Sequence, residues 1–161
     1  MFKFPEGFLF GAATSAHQVE GNNHNDWSEW EKENAERLSR ESGGKYPPEN
    51  YISGRACDHY NRFHEDFDIV KSLGHNAHRF SIEWSRVEPE EGKFNWIEIE
   101  HYKEVIKSLR ERGLEPFVTL WHWTLPVWLR DKGGVASGEF PKYFTRYAAM
   151  MAHDFPDIKF W

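Results

Sequence analysis

The sequence predicts an α/β protein whose strands form a parallel sheet. Amphipathic helices alternate with short apolar strands from residue 58 onwards, and equivalent strand positions recur at intervals of roughly forty residues. Of the 161 residues, 39% are hydrophobic and 17% are aromatic, which is enough to build a packed core. Together these observations favour a single domain made of successive βα units.

The first predicted strand covers residues 8–13, where the sequence FLFGAA is apolar. It is followed by a polar segment, residues 22–57, that is rich in Gly, Asn, Ser and Pro. We predict that this segment is a long loop after strand one. Loops of such length in compact domains commonly carry function.

A helix is predicted for residues 58–73, with Asp58 as its N-cap and Gly74 just past its end. The apolar face of this helix is formed by Tyr60, Phe63, Phe67, Val70 and Leu73. A strand follows at residues 75–82, where successive side chains point to opposite faces. One face of this strand would carry His78, Phe80 and Ile82.

The second half of the chain repeats the same order of elements. Asn95 and Glu98 resemble a capping box at the start of a second helix, and residues 114–121 form the apolar strand that follows it. Pro141 suits the first turn of a third helix. The apolar stripe of that helix is Phe140, Phe144, Tyr147 and Met151.

The last residues, 157–161, alternate polar and apolar side chains as a further strand does. A doubly wound nucleotide-binding sheet would place closely spaced glycines after strand one, and the sequence GAATSAHQVEG lacks that spacing. The other large parallel architecture is the eight-stranded barrel. We therefore predict that residues 1–161 form part of a (β/α)8 TIM barrel, with about three βα units plus strand four.

Active sites of such barrels lie at the C-terminal ends of the strands. There the sequence places Gln18 after strand one, and His122 between Trp121 and Trp123 after strand three. Indole rings stack on the C–H face of a sugar, while amide and imidazole groups form hydrogen bonds with its hydroxyls. These side chains favour a neutral polyhydroxylated ligand over a phosphate ester.

Charge and composition argue against other classes of function. The net charge of −6, without a basic stripe, disfavours a nucleic-acid partner. No apolar run is long enough to span a membrane, and residues 1–9 contain Pro5, Glu6 and Gly7 where a signal peptide needs unbroken apolar sequence. A cytoplasmic location is therefore predicted. Cys57 is the only cysteine and the nine histidines show no zinc-ligand spacing, so neither a metal nor a cofactor is expected.

The strands and the segments after them contain three long motifs, FLFGAATSAHQVEG, NAHRFSIEWSRVEPEEG and TLWHWTLPVWL. These motifs resemble the N-terminal landmarks of glycoside hydrolase family one, and the resemblance runs from Phe4 to Trp161. The family comprises retaining β-glucosidases and β-galactosidases built on an eight-stranded barrel. The resemblance implies the N-terminal part of a β-glucosidase-like hydrolase of carbohydrate metabolism. Its substrate would be a β-linked saccharide or aryl glycoside, cleaved by double displacement.

The resemblance also implies roles for individual residues. Gln18 resembles a glutamine that holds hydroxyls of the sugar in the first subsite, and His122 and Trp123 resemble a pair that contacts its 3-hydroxyl. Arg79 resembles an arginine that points toward the nucleophile carboxylate and keeps it ionised. Without the flanking motifs, a loop amide would be the favoured interpretation of Gln18 and a packed histidine that of His122, and the motifs reverse this preference. An arginine on an inward strand face is costly to bury unless paired, which implies a carboxylate partner for Arg79.

Retaining glycosidases need two carboxylates about 5 Å apart. In the family, the acid/base glutamate lies in an Asn-Glu-Pro motif at the end of strand four, and the nucleophile follows strand seven. Neither is expected within this chain, which ends at Trp161, so no catalytic residue is assigned and the chain alone is expected to be inactive. Glu20 and Glu83 lie near the correct rim but match no catalytic position. Glu83 is expected to make a solvated or ion-paired contact.

A partial barrel would leave sheet edges and inward-facing side chains open to water. We therefore expect the chain to self-associate or to need a complementary C-terminal barrel segment. The alternative function is a non-catalytic or engineered barrel fragment that acts as a sugar-binding or self-assembling module. The sequence leaves glycone and aglycone specificity open.

Overall fold

The computed structural model describes residues 3–161. Met1 and Phe2, which begin the segment considered as a signal peptide, lie outside the described residues. At the centre is a sheet of three parallel strands in the order β1-β2-β3. The strands are β1 (Gly11–Ala13), β2 (Ala77–Ser81) and β3 (Glu115–Thr119).

Helices connect these strands and cover one face of the sheet. In the described part of the chain the α-helices are α1 (Ala16–Val19), α2 (Asp26–Glu41), α3 (His59–Ser72), α4 (Trp84–Val87), α5 (Trp96–Glu111), α6 (Val127–Asp131) and α7 (Phe140–Asp154). Short 3-10 helices cover Pro48–Tyr51 and Gly134–Ala136. The helices predicted from periodicity are confirmed as α3, α5 and α7.

The hydrophobic core lies between the sheet and this layer of helices. His78 of β2 points toward the layer, and its ring centroid lies 5.4 Å from that of Phe67 on α3. Trp84, directly after β2, stacks on Tyr147 of α7 with centroids 4.6 Å apart. Burying each of these large side chains stabilises the fold by about 1.5–3 kcal/mol. These contacts pack β2 and the segment after it against α3 and α7.

The opposite face of the sheet is only partly covered. Arg79 and Phe117, which are neighbours in the β2–β3 register, are half-buried on this face. The ring of Phe160 stacks on that of Phe117 at 4.3 Å, and a parallel bridge joins the two residues. The Val118 N–H also donates to the Phe160 carbonyl at 2.9 Å. The predicted fourth strand is thus present as a single bridge beside β3.

The predicted strand at residues 8–13 is shorter than expected. Only Gly11–Ala13 is a strand, because the Phe10 N–H donates to the Asn76 side chain at 2.6 Å instead of to a neighbouring strand. The rings of the N-terminal phenylalanines form an exposed cluster with centroids 4.6 to 4.9 Å apart, made of Phe4, Phe8 and Phe10.

The prediction of a long loop at residues 22–57 was wrong. The segment contains the 16-residue helix α2 and a 3-10 helix. A capping box begins α2: the Asn25 side chain accepts from the Ser28 N–H at 2.8 Å, and the Ser28 hydroxyl accepts from the Asn25 N–H at 3.0 Å. Most of the later residues of α2 are polar and exposed, so its composition resembled that of a loop.

Two predicted helix caps also differ in detail. Asp58 occupies the N-cap position of α3 with a φ of +59°, and its side chain accepts hydrogen bonds from Arg55 and Asn61 instead of capping the helix. Asn95 does cap α5, by accepting from the Ile97 N–H at 3.1 Å. The capping box suggested by Asn95 and a glutamate three residues later is therefore replaced by a simple cap.

Candidate functional site

The segments that follow the three strands meet at one edge of the sheet. The Thr14 N–H, just after β1, donates to the Arg79 carbonyl at 2.9 Å, and the Ile82 N–H, just after β2, donates to the Thr119 carbonyl at 3.0 Å. These bonds extend the sheet beyond its regular strands. The C-terminal ends of the strands therefore form one edge, where parallel α/β proteins place their functional residues.

Gln18 lies on α1, the single helical turn after β1, and its side chain is exposed. The turn is held in place because the Ala16 N–H donates to the Ser81 hydroxyl at the end of β2, at 2.7 Å. The Ser15 hydroxyl donates to Gln18 Oε1 at 2.6 Å. With its carbonyl oxygen engaged, the amide can offer its two N–H groups to a ligand hydroxyl.

Arg79 lies half-buried on the open face of β2, where Nη1 donates to the Thr14 carbonyl at 2.8 Å. Among residues 3–161 no carboxylate forms an ion pair with Arg79, so its carboxylate partner stays a prediction. Burial, reinforced by the charge of Arg79, lowers the pKa of His122. His122 therefore lies within the field of Arg79 and is neutral near pH 7, with one ring nitrogen able to donate and the other to accept.

Trp123 is 65% exposed and occupies a strained turn after β3. Its φ is +72°, and the Thr124 N–H donates to the His122 carbonyl at 3.0 Å. This combination marks the rare γ-turn with positive φ, and such a conformation costs a non-glycine residue about 1–3 kcal/mol. The indole of Trp121 lies edge-to-face with that of Trp123, with centroids 6.1 Å apart. The turn thus presents an indole ring to solvent beside His122.

A buried polar network lies beneath this edge. Glu20, which is 4% exposed, accepts hydrogen bonds from Arg86 Nε at 2.8 Å and from the Tyr102 hydroxyl at 2.7 Å. Burial raises the pKa of Glu20 to about 7, although the charge of Arg86 opposes this effect. Glu20 is therefore buried and forms an ion pair with Arg86.

The expectation that Glu83 makes a solvated or ion-paired contact was wrong. Its side chain is 2% exposed and accepts hydrogen bonds only from neutral groups of the described residues. The donors are Ser85 Oγ at 3.0 Å, Thr124 Oγ1 at 3.1 Å and Asn25 Nδ2 at 3.3 Å. Burial raises the pKa of Glu83. Asn25 and Thr124 are far from Glu83 in sequence, so only the fold could show this network.

Two more exposed indole rings lie on α2, whose first turn is joined to the segment after β3 through Asp26. Trp27 and Trp30 on α2 are about half exposed and, with Arg130, line an open cleft of about 500 Å³. The ring of His17, next to Gln18, lies 5.9 Å from that of Trp27. Since His17 is buried, this contact packs the start of α2 against α1.

Within residues 3–161, no group of three or more His, Cys, Asp or Glu side chains is arranged to hold a metal ion. No helix in this part of the chain combines the length and apolar character that crossing a membrane requires.

Comparison with known proteins identifies the family. The sequence profile of Glycosyl hydrolase family 1 matches residues 1–161. The chain belongs to glycosyl hydrolase family 1. Among curated family 1 relatives, Beta-glucosidase A of Thermotoga maritima is 40% identical, and the match covers 99% of this chain but 35% of the relative.

Solved structures of family 1 proteins give the same result. The beta-glycosidase from Pyrococcus horikoshii is 43% identical with a TM-score of 0.82, and the match covers 98% of this chain and 34% of that one. The beta-glucosidase from Thermotoga maritima in complex with deoxynojirimycin is 38% identical with a TM-score of 0.84, over 99% and 36%. The chain thus spans about a third of the family 1 proteins that it matches. The predicted fold, an N-terminal part of a (β/α)8 barrel, is confirmed.

Proposed function

We propose that this family 1 chain supplies the sugar-binding part of a retaining β-glycosidase of carbohydrate metabolism. The substrates to be tested first are terminal β-D-glucosides. The observation that carries this proposal is that Gln18, His122 and Trp123 follow the C-terminal ends of their strands, while Arg79 lies on the open face of β2. A cytoplasmic location is part of the same proposal and rests on composition.

The chemistry of these side chains suits a neutral sugar. The exposed indole of Trp123 offers a flat apolar face for the C–H face of a pyranose. His122, neutral near pH 7, can accept from one hydroxyl and donate to another, and Gln18 can donate from its amide. A relative that shares this part of the fold was solved with deoxynojirimycin bound, which supports a sugar-like ligand.

Hydrolysis with retention proceeds in two displacements. A carboxylate attacks the anomeric carbon while a carboxylic acid protonates the leaving oxygen, and water then displaces the enzyme carboxylate. We assign neither role within this chain, because Glu20 is engaged by Arg86 and Glu83 by Thr124. Arg79 would hold the nucleophile ionised from the open face of the sheet. The chain alone should therefore bind sugar without cleaving it.

The rest of the barrel would have to complete the site. The open face beside β2 and β3 leaves Arg79 and Phe117 partly uncovered. Within residues 3–161, the outer edges of β1 and β3 are unpaired apart from the bridge at Phe160. We propose that a complementary C-terminal barrel segment covers this face, and that the chain self-associates when no such segment is present.

The test compares aryl β-glucoside hydrolysis by the chain alone with hydrolysis by a fusion. In the fusion, the chain replaces the corresponding third of the Thermotoga maritima Beta-glucosidase A, which is 40% identical to it. We expect activity only in the fusion, and a loss of kcat/KM of about tenfold to a hundredfold on His122→Ala, because hydrogen bonds to the sugar are lost. The matched control is His153→Ala, since His153 on α7 is 84% exposed and far from the site in sequence.

Each result bears on a different part of the proposal. Hydrolysis by the chain alone would show that a catalytic carboxylate was overlooked. Equal kcat/KM values for the His122 and His153 variants would remove His122 from the binding site. Sugar binding by the chain, combined with an inactive but folded fusion, would favour the alternative of a non-catalytic sugar-binding module.

A further inference from the structure

We propose that Glu83 is a positioning residue for the sugar site: through Thr124 it holds the strained turn at Trp123 in its binding shape. This inference rests on the proposed function, because it concerns how the same site is kept in place. Neither residue is expected to touch the sugar, since Glu83 is 2% exposed and Thr124 is 5% exposed.

The turn at Trp123 needs external support. A non-glycine residue with a φ of +72° in a three-residue turn persists only where the surroundings over-determine it. Trp123 itself contributes little to that support, because its side chain is 65% exposed. The restraint must therefore come from the residues on either side of the turn.

Thr124 is bound through both its backbone and its side chain. Its hydroxyl lies 3.1 Å from each carboxylate oxygen of Glu83, and its carbonyl accepts from Trp121 Nε1 at 3.1 Å. The next residue is fixed too, since the Leu125 N–H donates to Asp26 Oδ1 at 2.7 Å and the Leu125 carbonyl accepts from the Asp26 N–H at 3.0 Å. The hydroxyl bond to Glu83 is the only one of these that ties the turn to the segment directly after β2.

The chemistry of Glu83 is hard to explain by packing alone. A carboxylate that is buried without a cation partner among the described residues is unfavourable, and an apolar side chain of similar volume would fill the space at lower cost. Glu83 instead collects hydroxyl and amide donors from three separate segments, through Ser85, Thr124 and Asn25. Burying such an acceptor is unfavourable, but it restrains the strained loop. This combination is expected where binding requires a rigid loop.

Two variants remove the Glu83–Thr124 bond from opposite sides. Thr124→Val keeps the side-chain shape and deletes the hydroxyl, while Thr124→Ser keeps the hydroxyl and serves as the matched control. Glu83→Met deletes the acceptor and also leaves the donors of Ser85, Thr124 and Asn25 without this partner, so its free energy of unfolding is measured alongside. If either Thr124→Val or Glu83→Met fails to fold, the other variant still tests the Glu83–Thr124 bond.

The first readout is the indole N–H resonance of Trp123 in an NMR spectrum of the full chain, assigned with Trp123→Phe. We expect Thr124→Val and Glu83→Met to shift or broaden this resonance, and Thr124→Ser to leave it in place. This readout needs no ligand. A chain that binds no sugar would thus refute the proposed function while still testing the positioning role.

The second readout is the dissociation constant for deoxynojirimycin. We expect both disrupting variants to bind about tenfold more weakly, because only part of the population then keeps the binding turn, and Thr124→Ser to bind within about twofold of the parent. Unfolding by urea is measured alongside. A Glu83→Met variant that loses stability, with the Trp123 resonance and the affinity unchanged, would show a purely structural role and overturn the proposal.

Discussion

Replacing His78 by Phe is expected to make the fold less sensitive to acid. His78 lies on β2 and is 2% exposed; Nε2 lies 3.3 Å from Thr14 Oγ1, whereas Nδ1 is buried with no hydrogen-bond partner among the described residues. Burial lowers the pKa of His78 from 6.5 to about 4. The neighbouring groups that reinforce this effect are His59, His75 and Arg79, and Asp66 opposes it.

The sign and size of the effect follow from proton linkage. Between pH 6.5 and about 4, the unfolded chain binds a proton at His78 that the folded chain does not, so stability falls as the pH falls. At about 1.4 kcal/mol per pH unit, the full interval corresponds to about 3 kcal/mol, of which about 2 kcal/mol is lost between pH 7 and pH 5. Glu20, whose pKa is raised to about 7, acts in the opposite direction. Its contribution is present in both proteins and cancels in the comparison.

The assay is urea unfolding of the parent chain and of His78→Phe at pH 7 and pH 5. The loss of free energy of unfolding between these pH values should be about 2 kcal/mol smaller in the variant. His153→Phe, at a position that is 84% exposed, is the control and should behave like the parent. If His78→Phe and the parent lose the same free energy between the two pH values, the folded and unfolded chains bind protons equally at His78, contrary to this prediction.

Two further predictions concern the buried ion pair and the open face. Arg86→Met leaves the buried Glu20 carboxylate without its cation and should lower the free energy of unfolding by about 3–5 kcal/mol above pH 7. The loss should be smaller at pH 5, where Glu20 binds a proton, and a pH-independent loss in urea unfolding would contradict this explanation. Light scattering should show the purified chain to be larger than a monomer, because the face that carries Phe117 is open. A monomer that unfolds cooperatively would argue against self-association.

The regular part of the fold was accessible from the sequence because its side chains are strongly periodic. On α3, apolar residues at helical spacing predicted the bounds within one residue at each end, and the buried positions Phe63 and Phe67 belong to the predicted face. Leu73, which the predicted face includes, is 67% exposed just past the end of this helix, and periodicity does not show this. Periodicity therefore located the elements better than it located their burial.

The sequence did not reveal the features that depend on polar contacts between distant segments. The helix α2 has few apolar residues and is held by Asn25 and Ser28 at its start, so its polar composition suggested a loop. Glu83 looked like a rim carboxylate, since its buried partner Thr124 lies 41 residues away. The positive φ of Trp123 was equally inaccessible, because nothing in the residue type favours it.

The way in which α2 is attached has a practical consequence. Its first turn is joined to the segment after β3 by Asp26, and its middle is joined to the following segment by Glu31, which accepts from the Ser53 N–H at 2.9 Å. At the far end of the helix, Gly43 and Gly44 are exposed with open space around them. A fluorescent tag or a second domain grafted at this glycine pair would project into solvent, where exposed loop tips tolerate insertion, while the sugar edge keeps its own anchors.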